Sequence, residues 1–488
     1  MVFICCGPIP LKTARNREDR GKPARCGKEP ILGRSRSDEL SNLRTDCGSV
    51  FVRVSRYWLA ELPNSRYNAA MIFSRRATLL ALTSALTSWL AGSANAESNP
   101  KKVAAIVTIY THNSHADIIV SRLLQTDTLD GKGKDSPLKL VSLYTDQKPS
   151  GDISRLLAAS HRFRISDSIE DALTLGTGKL AVDGVLLIAE HGDYPKSPTG
   201  NAQFPKRRFW DATIKVFQAS QRVVPVFIDK HLSDNWTDAK SIYDTAREMN
   251  IPLMAGSSLP TTWRKPPADV ARGEVVSEIV AITYHTTDAY GFHALEFVQA
   301  LAEQRRGGES GIKAVRSLSG EAVWKAAEEK LFDPELFDAA WKRLTNPQSR
   351  GRSLREAVPA PRLFIVEYAD GLRAYLLELN GAVGEWSAAW RYKKDRRIEA
   401  TQFWTQEGRP GMHFTWLLNG IEALVLTGEP TRNVERTLLT SGALDALLLS
   451  LKDNGRRVET PYLMVPYQPI WRWSEPPPPP SMRPWAEQ

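Results

Sequence analysis

The chain has 488 residues, with 64 Lys and Arg against 55 Asp and Glu, a formal net charge of +9, and four cysteines. Residues 1–96 contain 15 of these cations, 7 of the anions and all four cysteines, which leaves residues 97–488 with a net charge of +1 and no thiol. We therefore expect no disulfide and no nucleic-acid partner for residues 97–488. Their length suits two domains.

Residues 71–96 have the order of an export signal that starts at an internal methionine. Ser74-Arg75-Arg76, followed by Leu79 and Leu80, resembles a twin-arginine motif, and Ala94-Asn95-Ala96 matches a small-residue cleavage site. The apolar run between them is too short and too rich in Ser and Thr to serve as a stable membrane anchor.

This segment predicts that the twin-arginine export machinery carries the folded protein to the periplasm or the medium. Residues 1–70 are then a non-native N-terminal extension, and the mature chain starts at residue 97. The alternative for residues 71–96 is an amphipathic helix near the N-terminus of a cytosolic protein.

From residue 103 to residue 256, short apolar runs alternate with amphipathic segments. Strands are predicted at 103–110, 138–144, 163–165, 182–190, 223–228 and 251–255, and helices at 114–125, 153–160, from 167, 207–220 and 234–249. Such an alternation is typical of an α/β fold with a doubly wound parallel sheet. We predict a Rossmann-like dinucleotide-binding domain over residues 97–256.

The pattern changes after residue 256. Strands are predicted at 274–284, 312–318, 363–368 and 373–379, and helices at 290–305, 413–427 and 434–451. The polar residues that alternate in these strands favour an α+β domain with a largely antiparallel sheet over residues 257–465. A proline-rich tail follows at 466–488.

Four passages, in this order and spacing, resemble the Gfo/Idh/MocA oxidoreductases, the glucose–fructose oxidoreductase and inositol dehydrogenase group. They are the fourth strand and its loop at 182–191, the fifth strand at 224–231 with a Glu-Lys-Pro-like end, the sixth strand at 253–257, and 290–296, which is similar to the Gly-x-His-x-x-Asp helix start of the family's second domain. The resemblance covers residues 102–465. It implies an NAD(P)-linked oxidoreductase acting on a sugar, polyol or related hydroxyl compound, and a homo-oligomer formed through the open face of the second-domain sheet.

The resemblance also implies catalytic residues. Lys230 takes the place of the family's lysine at the nicotinamide and a substrate hydroxyl, where its charge would stabilise an alkoxide. His293 takes the place of the catalytic histidine, a general acid and base near neutral pH. The family's acid four residues before this histidine is Ala289 here, and Asp288 is the nearest candidate for it.

For NAD or NADP, tightly bound and loaded before export, the resemblance implies contacts by Asn113, Ser114, Asp146, Glu190, His191 and Lys230. Asp146 ends the second strand, where such folds place the acid that binds the ribose. The first strand departs from the family, because residues 110–114 contain no glycine where a Gly-x-Gly-x-x-Gly loop is expected. The helix N-terminus could still bind an anion through Asn113 and Ser114.

Three alternatives follow from the same residues. One is a glycosidase of the same fold that uses bound NAD as a transient oxidant, and another is a ligand-binding protein that has lost the cofactor. The third is a metal-dependent hydrolase, because histidines follow several strands and lie with Glu190 and Asp193 at one sheet edge; these are His112, His115, His191 and His231, with His285 and His293 from the second domain. The same groups suit a polar substrate such as a sugar.

Overall fold

The computed structural model describes residues 99–478 except 130, 346, 350 and 406–410. The predicted extension at 1–70, the export signal at 71–96 and the end of the tail lie outside the described residues. No helix within the described ranges is long and apolar enough to cross a bilayer.

The first half of the described chain forms a six-stranded, all-parallel sheet. Its order is β3-β2-β1-β4-β5-β6, so the strand order reverses between β1 and β4. The elements are β1 Lys101–Val107, α1 His115–Leu124, β2 Leu138–Thr145, α2 Ser154–His161, β3 Arg164–Ser166, α3 Ile169–Thr174, β4 Gly184–Ile188, α4 Lys206–Ser220, β5 Val226–Asp229, α5 Trp236–Glu248 and β6 Leu253–Gly256. The predicted Rossmann-like sheet is confirmed.

Local sequence explains these elements. All five residues of β4 are buried and apolar or glycine, as expected of a central strand covered on both faces. Three helices begin at side-chain caps, with Ser114 on α1, Ser168 on α3 and Asn235 on α5 each accepting a backbone N–H from the first turn.

The second half forms an eight-stranded sheet of order β14-β9-β10-β11-β8-β12-β13-β7, in which only the β8–β11 pair is parallel. Its elements are β7 Trp263–Lys265, β8 Val276–Thr283, α6 Tyr290–Ala302, β9 Ile312–Ser319, α7 Glu321–Glu328, α8 Pro334–Trp341, α9 Leu354–Ala357, β10 Arg362–Tyr368, β11 Arg373–Glu378, β12 Trp386–Tyr392, β13 Ile398–Trp404, α10 His413–Thr427, α11 Val434–Lys452 and β14 Val458–Glu459. The predicted α+β fold is confirmed, although β7, β12, β13, β14 and the helices α7 to α9 were not among the predicted elements.

Both faces of this second sheet are covered. One face packs on α6 and α11, and α8 packs across β8, β12 and β13 on the other, where Phe332, Leu336 and Leu344 join a buried apolar cluster. The open sheet face through which the resemblance implied an oligomer is therefore closed by the chain's own helix. Oligomerisation itself stays a prediction.

The helix α10 returns from the second half of the sequence to the first sheet. Its buried side chains Phe414, Leu417 and Ile421 share a core cluster with residues of β1 and β4. The two sheets are thus tied together by more than the connection at residue 256.

Candidate active site

The carboxyl ends of β1, β4, β5 and β6 meet at one edge of the parallel sheet, beside the β1–β4 reversal where ligands bind in such folds. Six residues at this edge are close neighbours and define what we call the crevice: His115, Glu190, His191, Lys230, Ser257 and His293. The residue from the second domain, His293, has its ring centroid 6.5 Å from that of His115. The crevice therefore joins the two halves of the fold.

Glu190 is held between two lysines. Lys206 Nζ donates to Glu190 Oε1 at 2.5 Å and to the carbonyl oxygens of Asp229 and His231 at 2.7 and 2.8 Å. Lys230 Nζ lies 3.1 Å from Glu190 Oε2. Burial acts to raise the pKa of Glu190, but Lys206 and Lys230 hold it well below its ordinary value. The buried carboxylate is therefore ionised and fixes the end of β5.

Lys230 has a strained backbone. Its φ of 58° is left-handed, which costs a non-glycine residue about 1–2 kcal/mol. Its N–H donates to the carbonyl oxygen of Gly256 at 3.3 Å, so the residue ends β5 in contact with the end of β6. Strain of this kind is concentrated at functional sites, where the surrounding structure enforces it.

His115, in the first turn of α1, pairs with Asp229 at the end of β5. Their Nδ1 and Oδ2 atoms are 2.6 Å apart, and the side chains are 8% and 1% exposed. The backbone N–H of His115 donates to Nδ1 of His191 at 3.4 Å. Burial and Lys230 lower the pKa of His115 well below its ordinary value, while burial and Glu190 raise the pKa of Asp229 to about 7. The imidazole is neutral near pH 7.

His293 is positioned by a buried network on α6. Its Nδ1 lies 2.6 Å from Ser257 Oγ, and the N–H of Ser257 donates to Glu296 Oε2 at 3.1 Å. The hydroxyls of Thr437 and Thr440 donate to Glu296 Oε1 at 3.1 and 2.7 Å. Glu296 thus ties β6 and α11 together one helical turn from the imidazole.

The other crevice imidazoles are also neutral. Burial, with the neighbouring His115 and Lys230, lowers the pKa of His191 to about 3. Burial and Lys230 lower the pKa of His293 well below its ordinary value. Neutral imidazoles can both accept and donate hydrogen bonds, so the crevice can hydrogen-bond a ligand in either direction.

Aromatic rings line the second-domain side of the crevice. The rings of Tyr290 and Trp386 lie 6.0 and 6.5 Å from His293, and they stack at 5.5 Å from each other. Trp386 is 6% exposed, and its indole N–H has no hydrogen-bond partner among the described residues. A stack of aromatic rings therefore lies beside the imidazole.

The start of α1 is occupied by the chain's own carboxylate. Asn113 N–H donates to Asp117 Oδ2 at 2.9 Å, Ser114 Oγ accepts from Asp117 N–H at 3.3 Å, and Ser121 Oγ donates to Asp117 Oδ1 at 2.7 Å. This carboxylate lies where the partial positive charge of the helix N-terminus would attract an anion. Asn113 and Ser114 are thus engaged within the helix, and their predicted role in cofactor binding stays a prediction.

Asp146, the predicted ribose ligand, is likewise engaged. Tyr144 OH donates to its Oδ1 at 2.8 Å, and Tyr194 OH and Arg208 Nη2 donate to its Oδ2 at 2.7 Å each. Although burial acts to raise its pKa, hydrogen bonds from Arg208 and Tyr194 lower the pKa of Asp146 below its ordinary value. The carboxylate is ionised and has three partners of its own.

The predicted site residues fall into separate groups. Glu190, His191, Lys230 and His293 come together in the crevice. Asp288 is engaged elsewhere: its carboxylate accepts the N–H of Ala289 at 2.9 Å, and its charge acts to raise the pKa of His285, which burial lowers.

Three residues that hold the crevice together were not predicted as site residues, namely Lys206, Ser257 and Glu296. Lys206 lies in a Lys-Arg-Arg run that is typical of a solvent-facing helix start, so no local signal reveals that its ammonium is buried. Glu296 follows His293 by three residues, on the same helix face, and stands at the last position of the Gly-x-His-x-x-Asp-like passage, but no role was predicted for it.

The described residues contain no group of three His, Cys, Asp or Glu placed to hold a metal ion. The histidines that follow the strands instead use Nδ1 for contacts inside the protein, as in His115 and His293. The described residues therefore give no support to the alternative of a metal-dependent hydrolase.

No protein-family model and no curated protein matches the sequence. Solved structures do resemble it, and they are Gfo/Idh/MocA-type dehydrogenases. GenD2 from gentamicin A biosynthesis, in complex with NAD, is 14% identical with a TM-score of 0.48 over 74% of this chain and 96% of its own.

Two further solved structures are similar to the chain. Scyllo-inositol dehydrogenase from Lactobacillus casei is 12% identical, with a TM-score of 0.47 over 74% of this chain and 98% of its own. UDP-N-acetylglucosamine 3-dehydrogenase from Acidithiobacillus ferrooxidans is 11% identical, with a TM-score of 0.44 over 72% and 98%. At these identities the likeness concerns the course of the chain alone.

Proposed function

We propose that this protein is an oxidoreductase that binds a sugar, a polyol or a related hydroxyl compound in the crevice. The observation that carries the proposal is that Lys230 and His293, each held by a buried partner, lie close enough at the carboxyl edge of the parallel sheet for the charge of Lys230 to act on His293. Both residues occupy the positions that the family resemblance assigned to catalysis.

Their chemistry suits a hydroxyl substrate. In the tautomer whose Nδ1–H donates to Ser257 Oγ, His293 has a lone pair on Nε2 that can take the hydroxyl proton. The ammonium of Lys230 would stabilise the negative charge that develops on the oxygen, and its burial strengthens that interaction. In this proposal His293 accepts the proton and Lys230 stabilises the negative charge.

The surroundings favour a sugar or polyol over a charged ligand. Glu190 neutralises one of the two lysines, and the remaining polar groups of the crevice are mostly neutral imidazoles. The rings of Tyr290 and Trp386 add apolar surface beside His293 that suits the C–H side of a polyol.

In the proposed reaction NAD or NADP is the electron acceptor, as in the family that the sequence resembles. Residues 110–117 do not fit the dinucleotide's pyrophosphate in the manner of a glycine-rich loop, because side chains replace the glycines and Asp117 occupies the N-terminus of α1. We assign no step to the nicotinamide. The proposal concerns the substrate end of the crevice.

The test begins with protein expressed from Met71 with its export signal. The protein is denatured, and released nucleotides and metals are identified by mass spectrometry and elemental analysis. Stoichiometric NAD or NADP supports a tightly bound cofactor, and turnover of a polyol that depends on added NAD(P) supports an exchangeable one. Absence of both contradicts the oxidoreductase proposal.

A second candidate is a protein that binds a hydroxylated ligand without a nucleotide. It is favoured by one observation, the Asp117 carboxylate at the N-terminus of α1. Thermal stabilisation by a sugar or polyol, with no NAD(P) binding in a calorimetric titration and no turnover, is the result that selects it. The NAD-using glycosidase is separated from both by release of a sugar with no net reduction of NAD.

Export is a separate proposal, supported by the residue order of 71–96. Cell fractionation and N-terminal sequencing test it. A periplasmic or secreted protein that begins at Glu97 is expected, and a cytosolic protein that retains residues 71–96 would contradict it.

A further inference from the structure

The start of α1 and the end of β5 are joined by a side-chain pair. His115 stands in the first turn of α1, and its Nδ1 is 2.6 Å from Oδ2 of Asp229, whose side chain is 1% exposed. Asp229 is itself fixed, because Lys206 Nζ donates to its carbonyl oxygen at 2.7 Å. The imidazole therefore has one orientation, set by β5.

No hydrogen bond to Nε2 of His115 is found among residues 99–478 as far as these are described, and the ring lies 5.2 Å from His191 and 6.5 Å from His293. His191 is only half-buried, so this group of rings is continuous with the surface of the crevice.

We infer that His115 and Asp229 form a second proton-transfer pair, directed at the same ligand as His293, in the segment that a dinucleotide-binding protein of this fold would use for pyrophosphate. The inference rests on the proposed function. His115 is the residue that exchanges the proton with the ligand, and Asp229 is a positioning residue that acts through it.

The proton balance of the pair is simple. With Asp229 ionised, Nδ1–H of His115 donates to the carboxylate and Nε2 accepts a proton from a ligand hydroxyl, whose electron pair stays on the oxygen. The imidazolium that forms is stabilised by Asp229. Because His115 and His293 are separate imidazoles in one crevice, we expect a ligand with two neighbouring oxygen atoms, such as a vicinal diol or a hydroxy ketone.

The pair is surrounded by other charged and titratable groups. Glu190, Lys206 and Lys230 face it from β4, α4 and β5, and His191, His293 and His413 face it from the β4 loop, α6 and α10. Since Asp229 has its pKa raised to about 7, protonation of Asp229 below that pH would turn Nδ1 into an acceptor and place the proton on Nε2.

Diethyl pyrocarbonate tests the inference without knowledge of the substrate, because it acylates unprotonated, accessible imidazole nitrogens. The full chain is labelled at pH 7.5 and the modified sites are found by peptide mass spectrometry, with the exposed His161 of α2 as reference. We expect His115 to be labelled in the wild type and about tenfold more slowly, relative to His161, in Asp229→Asn, since the carboxylate sets its tautomer and basicity. An unlabelled His115, or labelling unchanged by Asp229→Asn, overturns the inference.

A second readout covers the case in which Asp229→Asn does not fold. With a substrate found by the NAD(P) screen, His115→Gln should lower kcat by about 10²–10⁴-fold at similar KM, and His161→Gln should not. Wild-type turnover in His115→Gln overturns the inference and leaves the proposed function intact. If His115 is labelled as expected but the protein neither binds nor uses NAD(P), the inference on the His115–Asp229 pair is supported and the oxidoreductase proposal is contradicted.

Discussion

The two ends of the parallel sheet's carboxyl edge use their polar groups differently. At one end, Lys230 and His293 are each held by a buried partner and lie with other neutral imidazoles beside aromatic rings. At the other end, the Asp117 carboxylate accepts from two donors of the chain itself, and the Asp146 carboxylate accepts from three. The first end is where we propose that a ligand binds, while the carboxylates of the second are taken up by the chain itself, so the fold alone does not imply the family's mode of cofactor binding.

The largest expected effect tests how much the buried network around Glu190 and Lys206 contributes to the stability of the fold. Lys206→Met removes the ammonium that neutralises Glu190 and satisfies two carbonyl oxygens, so it should lower the free energy of unfolding by about 3–5 kcal/mol. Chemical denaturation measures this. The matched control is Lys215→Met on the exposed face of the same helix, which should change stability by less than about 0.5 kcal/mol. Equal effects of the two substitutions would show that the network does not contribute.

Lowering the pH should reduce the free energy of unfolding through the buried histidines of the crevice. His115, His231 and His293 are buried with lowered pKa values, so below pH 6.5 the unfolded chain binds protons that the folded chain does not, and stability falls as the pH falls. Asp229 acts in the opposite direction, because its pKa is raised and its contribution is lost as the pH rises through about 7. Three histidines at about 1.5 kcal/mol each, less about 1.5 kcal/mol for Asp229, give a net loss of roughly 3 kcal/mol between pH 6.5 and 5. Urea unfolding at a series of pH values checks this, and a flat profile would mean that these histidines are solvated.

A substitution at Gly256 tests the contribution of the Glu296 network that positions His293. Its φ is +117°, and an added Cβ would collide with Oε2 of Glu296 and lie 2.8 Å from Thr437 Oγ1. Gly256→Ala should therefore lower the free energy of unfolding by about 2–4 kcal/mol, from strain and overpacking together. Gly178→Ala is the control, since φ is +75° there and no atom lies within 4 Å of the added Cβ. If both variants lose the same stability, the Glu296 contact is unimportant.

The smallest effect is expected at the end that contains Asp117. Asp117→Ser removes the carboxylate at the start of α1 and should cost about 1 kcal/mol of stability, the usual value of such a contact with a helix N-terminus. The freed N–H groups should at the same time bind NAD(P) about tenfold more tightly than in the wild type. Calorimetric titration measures the change, and weaker or equal binding would mean that Asp117 does not compete with the phosphates.

The fold could be predicted from sequence more fully than the site. Continuous apolar runs such as Val185–Ile188 identify central strands because both faces of the sheet are covered. Trp386–Tyr392 was not predicted, since all seven of its residues are buried and no polar alternation indicates a strand. The closed sheet face was not predicted either, because the burial of α8 depends on contacts made far along the chain.

Within the site, strand ends and helix starts located Lys230, Glu190 and His293, because topology alone brings the carboxyl ends of parallel strands to one edge. Sequence could not show that Asp229 pairs with His115 across 114 positions, or that Lys206 turns inward to Glu190. Those contacts depend on tertiary packing and on the direction of single side chains.

Turnover by Lys230→Ala tests the central claim most directly. A panel of sugars and polyols is offered to wild type and variant with NAD or NADP, and reduction of the nicotinamide is followed by absorbance. We expect the wild type to oxidise at least one compound and the variant to lose about 10²–10⁴-fold in kcat, with a thermal transition that shows it folded. A folded Lys230→Ala protein with near wild-type turnover, or a wild type that oxidises none of the panel, would contradict the account.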